Sequence, residues 1–154
     1  MIKLVKASLS DIPQMQEMVN DEVLSGIILN RSDDEISTNI RSYVLAKKED
    51  IIVGYTALHI HSKRVAEIRS LIVDKDYRGQ KIGEKLVRFT LEEAGSLGVS
   101  EDVLVLTYLP LFFEKLNFKE IPKESIPEHK IWTDCINCIH FPICNEVALI
   151  YKLC

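Results

Sequence analysis

The chain is 154 residues long, with 19 basic and 23 acidic side chains, a formal net charge of −4 and 47% hydrophobic residues. That length suits one domain with a sizeable core, and the composition excludes a disordered, collagen-like or membrane-spanning chain. No apolar run reaches the roughly 18 residues that a bilayer span needs, and the acidic balance argues against nucleic acid or an anionic membrane as partner, because such binding rests on clustered Lys and Arg. Met1 to Ser10 lacks the continuous apolar stretch of a signal peptide, so a cytoplasmic location is expected.

Ile2 to Lys6 alternates as a short strand. Ile12, Met15, Met18 and Val19 then recur at helical spacing, with Ser10 as the predicted N-cap. After Gly26-Ile27-Ile28-Leu29-Asn30-Arg31-Ser32, the segment Asp33 to Ile40 reads as a second short helix, with Ser32 at its N-cap and Glu35 in the capping-box position. Tyr43 to Ala46, Ile51 to Ile60 and Val65 to Val73 are rich in β-branched and aromatic residues and form an antiparallel meander. Arg78 to Gly83 opens a helix with Ile82, Leu86, Phe89 and Ala94 on one side, stopped by Gly95 and Gly98. Val103 to Leu106 reads as a buried strand, and Pro110 suits the first turn of a helix carrying Leu109, Phe112, Phe113 and Leu116. From Lys119 the pattern is irregular until a closing strand at Val147 to Leu153. The strand-helix-strand order between Ile68 and Leu106 implies a parallel pair.

Chemistry concentrates in Glu67-Ile68-Arg69-Ser70-Leu71-Ile72-Val73-Asp74-Lys75-Asp76-Tyr77-Arg78-Gly79-Gln80-Lys81-Ile82-Gly83, a strand, a turn and a helix start. The first N–H groups of a helix have no intrahelical acceptor and sit at the positive end of its dipole, so such a loop either holds a pyrophosphate or simply connects two elements. In context the stretch resembles the acetyl-CoA signature Q/R-x-x-G-x-G/A of the GCN5-related N-acetyltransferase (GNAT) family. Arg78 and Gly83 fit, and Lys81 stands where the pattern has a glycine. Phe112-Phe113-Glu114-Lys115-Leu116-Asn117-Phe118 is similar to that family's later F-[YF]-x-x-x-G-F segment.

The resemblance implies an α/β fold with a mixed, mostly antiparallel sheet, a splayed parallel strand pair and flanking helices, the whole chain being one N-acetyltransferase domain. Acetyl-CoA would lie in the splay as cosubstrate. The main chain of Leu71 and Val73, with Ile72 between them, would orient the thioester and pantetheine arm, and Arg78, Gly79, Gln80, Lys81, Ile82 and Gly83 would bind pyrophosphate. Family members often dimerise through sheet edges, so a homodimer is compatible.

Gly26 to Ser32 also resembles the G-x-L-x-x-R-S segment of amino-acid N-acetyltransferases, the N-acetylglutamate synthases that begin arginine biosynthesis, and Val105-Leu106-Thr107 and the tail from Ile126 to Leu149 are similar to short standalone members. This implies transfer of acetyl to the α-amino group of L-glutamate, with Glu67 as general base and Arg31, Arg69, Thr107 and Lys130 binding the amino acid. A carboxylate can accept the ammonium proton directly or through water, although Glu67 also stands where it would pair with Arg69. Phe113 stands where many members carry the tyrosine that protonates the departing thiolate; Tyr108 and Thr107 are the nearby alternatives as general acid, a thiolate can also leave unassisted, and packing is the other role open to Tyr108. The alternatives are another small amine or a protein N-terminus as acceptor, or a non-catalytic acetyl-CoA- or metal-binding sensor.

Cys135, Cys138 and Cys144 have C-x₂-C-x₅-C spacing, and His140 (or His129) would complete four zinc ligands. A redox-sensing thiol pair and plain apolar packing are the other readings. His59 and His61, one residue apart on a strand, point to the same face, as a proton shuttle or as polar surface.

Overall fold

The computed structural model describes residues 1–122, 125 and 146–153; the expected roles of Lys130, Cys135, Cys138, His140 and Cys144 fall outside the described residues. The elements run β1 (Ile2–Lys6), α1 (Ile12–Leu24), α2 (Asp33–Thr38), β2 (Tyr43–Lys48), β3 (Ile51–Ile60), β4 (Val65–Val73), α3 (Ile82–Leu97), β5 (Asp102–Thr107), α4 (Pro110–Glu114), β6 (Lys119–Ile121) and β7 (Val147–Lys152). The strands make one seven-stranded sheet in the order β1-β2-β3-β4-β5-β7-β6. Every neighbouring pair is antiparallel except β4 and β5.

Alternation along the central strands divides the core between the two faces. On one face Tyr43, Leu45, Tyr55 and Ala57 pack under Ile12, Met15 and Val19 of α1 and Ile36 of α2. On the other, Ile82 and Leu86 of α3 cover Val44, Ala46 and Val53, while Val87 and Ala94 join Ile68, Val103, Val105 and Phe113. The closest approach is at Gly54 of β3, where a Cβ would lie 2.9 Å from the Ile72 carbonyl oxygen.

Local chemistry moved several element ends. Ser8, not Ser10, starts the first helical stretch: its N–H donates to Asp11 Oδ2 at 2.9 Å, a 3₁₀ turn spans Leu9–Asp11, and Asp11 is the N-cap of α1. Burial pushes the Asp11 carboxyl up, but the Ser8 hydrogen bonds and the Lys47 ammonium outweigh it and hold the group below its ordinary pKa. The second helix is shorter than its periodicity predicts, ending at Thr38 before a 3₁₀ turn at Ile40–Ser42.

Gly95 does not stop α3. The helix runs to Leu97, and Gly98, at φ +91°, closes it with N–H bonds from Gly98 to Gly95 and from Val99 to Ala94. Gly98→Ala should therefore cost about 1 kcal/mol and lower Tm by about 2–4 °C; an unchanged melting curve would show that the cap relaxes freely.

Candidate active site

The parallel ladder between β4 and β5 ends at Ile68 and Val105. Just beyond, Tyr55 pairs with Ile72 and Ala57 with Arg69, so the single residue Thr56 faces both Ser70 and Leu71. This is a β-bulge, with Ser70 at φ +56°. Thr56, fully buried, donates from Oγ1 to the Arg69 carbonyl at 2.9 Å and so fixes the bend. Thr is a common strand residue, so its place in the apolar run of β3 does not by itself mark the bulge. The splayed strands open a cavity of about 780 Å³, lined on one side by Leu71, Ile72 and Val73 and on the other by Leu106 and Thr107.

At one end the chain turns from β4 into α3. Arg78, Gly79, Lys81, Ile82 and Gly83 all line the cavity, whereas Gln80 is exposed and stands outside the lining. Gly79 has φ +83° and Lys81 φ +63°, so the position where the family pattern carries glycine does require a left-handed backbone, which this chain imposes on a lysine. A Cβ on Gly83 would meet the Phe112 ring at 3.2 Å, so the first turn of α3 sits close against α4. Arg78 is held by Nε–H to the Val73 carbonyl at 3.2 Å, with Nη2 3.7 Å from Glu22 of α1.

At the other end, Glu67 is 1% exposed and accepts at Oε1 from Arg69 Nε–H at 3.2 Å; His61 Nε2 lies 2.8 Å from the same oxygen. His59 is the direct cross-strand partner of Glu67, and its ring meets that of His61 edge-on at 4.7 Å. The shared face expected for Glu67 and Arg69, and for the two histidines, is thus present as one polar cluster. Pairing with Arg69 and a place in the cavity coexist: Glu67 and Arg69 both line it.

Arg31 reaches the same cavity from the loop before α2. Gln16 Nε2 ties that loop to α1 by donating to the Arg31 carbonyl at 2.8 Å and to Asp33 Oδ1 at 3.0 Å. Ser32 caps α2 as expected, accepting from the Glu35 N–H at 3.1 Å, but the Glu35 carboxylate meets Arg31 Nη1 at 2.7 Å.

Tyr108 also lines the cavity, and Thr107 Oγ1 accepts from the Leu109 N–H at 2.9 Å. Phe113 is buried, edge-on to both Phe112 and Phe118, and belongs to the core. Burial, then the charges of Tyr43 and Glu22, push the Tyr55 phenol well above its ordinary pKa, so it stays neutral under α1. Glu22, Ile28 and Glu146 also line the cavity; Ile28 belongs to the Gly26 to Ser32 segment and Glu146 to the tail from Ile126 to Leu149, whereas Glu22 carries no motif and only folding brings it there. Among the described residues no group of three or more His, Cys, Asp or Glu could hold a metal ion.

Comparison with known proteins matches this architecture. The acetyltransferase (GNAT) family pattern covers residues 10–118. An uncharacterized N-acetyltransferase of Chlorobaculum tepidum is 35% identical over 147 residues, covering 96% of this chain and 94% of its own. The amino-acid acetyltransferase of Pasteurella multocida is 25% identical over 125 residues, 80% of this chain, and the chain spans only 28% of that relative's length. Among solved structures, N-acetylglutamate synthase from Neisseria gonorrhoeae, complexed with coenzyme A and N-acetyl-glutamate, superposes with a TM-score of 0.87 at 20% identity over 100% of this chain and 35% of that one. The chain belongs to the GNAT family of acetyltransferases, and its mostly antiparallel sheet with one splayed parallel pair is the GNAT fold.

Proposed function

We propose that the protein acetylates the α-amino group of an amino acid, L-glutamate foremost, with acetyl-CoA as cosubstrate and Glu67 as general base. The observation that carries this reading is the convergence of a buried carboxylate, Glu67, with two guanidinium groups, Arg31 and Arg69, in one cavity that opens between β4 and β5. Amino acids present an ammonium that must lose a proton and at least one carboxylate that a guanidinium fork matches.

The residues around the cavity fit an acyl-CoA cosubstrate. Its volume lies in the range of small-molecule sites, and the left-handed turn from Gly79 to Lys81 leads into the unpaired N–H groups of a helix whose dipole favours phosphate. When bound, acetyl-CoA supplies an activated acetyl thioester. Arg78 and the first turn of α3 hold the pyrophosphate, while the backbone of Leu71 to Val73, beyond the last pairing with β5, orients the pantetheine arm.

At the acceptor end, Arg31 and Arg69 bind carboxylate, and Glu67 takes a proton from the substrate ammonium, directly or through a water. Contacts from His61 and Arg69 to Oε1 hold the carboxylate in place for that transfer. Tyr108, on the cavity wall after β5, delivers a proton to the departing thiolate. The amino-acid acetyltransferase and N-acetylglutamate synthase relatives support this choice of acceptor.

The test is acetyl-CoA-dependent thiol release across the twenty amino acids, with product masses confirmed. Turnover confined to glutamate, or shared with glutamine or aspartate, is expected. Arg31→Ala should then raise KM for the amino acid by about tenfold or more, the scale of losing a charge-assisted contact, with KM for acetyl-CoA little changed. Undiminished glutamate turnover in both Arg31→Ala and Arg69→Ala would remove the two arginines from carboxylate binding, and no turnover of any amino acid would transfer the assignment to another amine.

A further inference from the structure

Behind Arg31 lies a second, smaller chamber of about 20 Å³, walled by Glu35, Asn39, Ser42 and Tyr43, which shares Arg31 and Arg69 with the main cavity. Glu35 lines only this rear chamber. The Arg31 side chain is 11% exposed and the Glu35 side chain 42%, so the guanidinium sits between the substrate cavity and a partly solvated carboxylate 2.7 Å from Nη1.

The pair is held by more than its own attraction. The Glu35 N–H is fixed on Ser32 Oγ, and the Glu35 carbonyl accepts from Thr38 Oγ1 at 3.1 Å and Asn39 Nδ2 at 2.9 Å. On the other side of the loop Gln16 anchors the Arg31 carbonyl. An acidic residue at the third position of a helix commonly turns back on the N-cap backbone; here its carboxylate is directed onto a cavity-lining cation.

We propose that Glu35 sets how strongly the acceptor end holds a substrate carboxylate, acting through Arg31 as a built-in counter-ion. This rests on the acceptor-site reading given above. A negative charge behind Arg31 offsets part of the potential that a substrate carboxylate meets in front of it, and the offset is larger in a partly water-excluded cavity than in bulk solvent. Glu35 is thus a positioning and specificity-setting residue that does not touch the reacting atoms.

Glu35→Gln keeps a hydrogen-bond acceptor for Arg31 and removes the charge. It should lower KM for glutamate by about threefold to tenfold, the scale of one nearby unit charge at intermediate dielectric, while KM for acetyl-CoA stays put. In an Arg31→Ala background the same substitution should move KM for glutamate by less than about twofold, because the coupling runs through the guanidinium. Calorimetric titration of glutamate into the protein saturated with desulfo-coenzyme A reads the same affinity without turnover. Unchanged or weakened glutamate binding in Glu35→Gln, with wild-type melting, would overturn the counter-ion role while leaving the proposed reaction standing. Failure of the wild-type protein to bind glutamate at all would overturn both.

Discussion

Glu67→Gln is expected to lower kcat/KM for the amino acid by about two orders of magnitude or more near neutral pH, the usual scale for loss of a general base. The substitution keeps the shape of the side chain and one oxygen able to accept from Arg69 and His61, so the cavity walls should persist. What disappears is the group proposed to accept the ammonium proton. Removing one member of a buried ionic cluster also leaves Arg69 less well compensated, so some loss of stability accompanies the kinetic effect. Tm and acetyl-CoA affinity, measured on the same sample, separate the two contributions. If the loss is catalytic, acetyl-CoA still binds, and rate is partly recovered at higher pH, where more of the free amino acid is already deprotonated. A variant within threefold of wild type would sink the base assignment and leave Glu67 as the structural partner of His61 and Arg69.

The second large effect is structural. Gly54→Val should destabilise the protein by about 3 kcal/mol, since overpacking of a tight core typically costs 1–3 kcal/mol and occasionally more, and lower Tm by about 10 °C at the usual conversion for a chain of this size. Gly54 pairs with Ala46 on one side and Val73 on the other. A Cβ there lies 2.9 Å from the Ile72 carbonyl oxygen and 3.4 Å from both Ile82 and Leu86. The near contact is backbone, which cannot swing aside as a flexible side chain does. Relief requires β4 to move just where Leu71 to Val73 form the cavity wall, so acetyl-CoA affinity should fall with stability. Thermal melting and a calorimetric acetyl-CoA titration check both; an unshifted Tm would mean that β3 and β4 separate at little cost.

Much of this was legible in the residues because it rests on period. The helical spacing of Ile12, Met15 and Val19, the apolar side of α3 and the alternation of β3 and β4 depend on local sequence, and they were enough to place Glu67 and Arg69 on one face. The loop into α3 was legible for a related reason: glycine spacing at a helix start reports backbone conformation. The bulge was not, because Ser70 and Leu71 look like ordinary strand residues until Thr56 on the neighbouring strand is known to face both. Nor was the destination of the Glu35 carboxylate, since the N-cap backbone and Arg31 both lie within reach of a side chain at that position. Gly95 misled in the opposite direction: tertiary packing of Val87 and Ala94 carries α3 through a residue of poor helix propensity. The short β6 has only three residues, Lys119–Ile121, too few for alternation to register, and it exists because β7 supplies an edge.

The extra residue in β4 also reverses which numbers along the strand face which way. Before it, Glu67 and Arg69 look toward the α1 side while Ala66 and Ile68 pack on the α3 side; after it, Ile72 joins the α1 side, and Leu71 and Val73 pack with residues on the α3 side. One continuous strand therefore behaves as two half-strands of opposite parity, the first placing Glu67 and Arg69 on its odd positions and the second using its odd positions for apolar packing. Glu67 and Arg69 stand on the face opposite Leu71 and Val73, and deletion of Ser70 would restore strict alternation from Ala66 to Val73, keeping these side chains on their faces while removing the bend that parts β4 from β5.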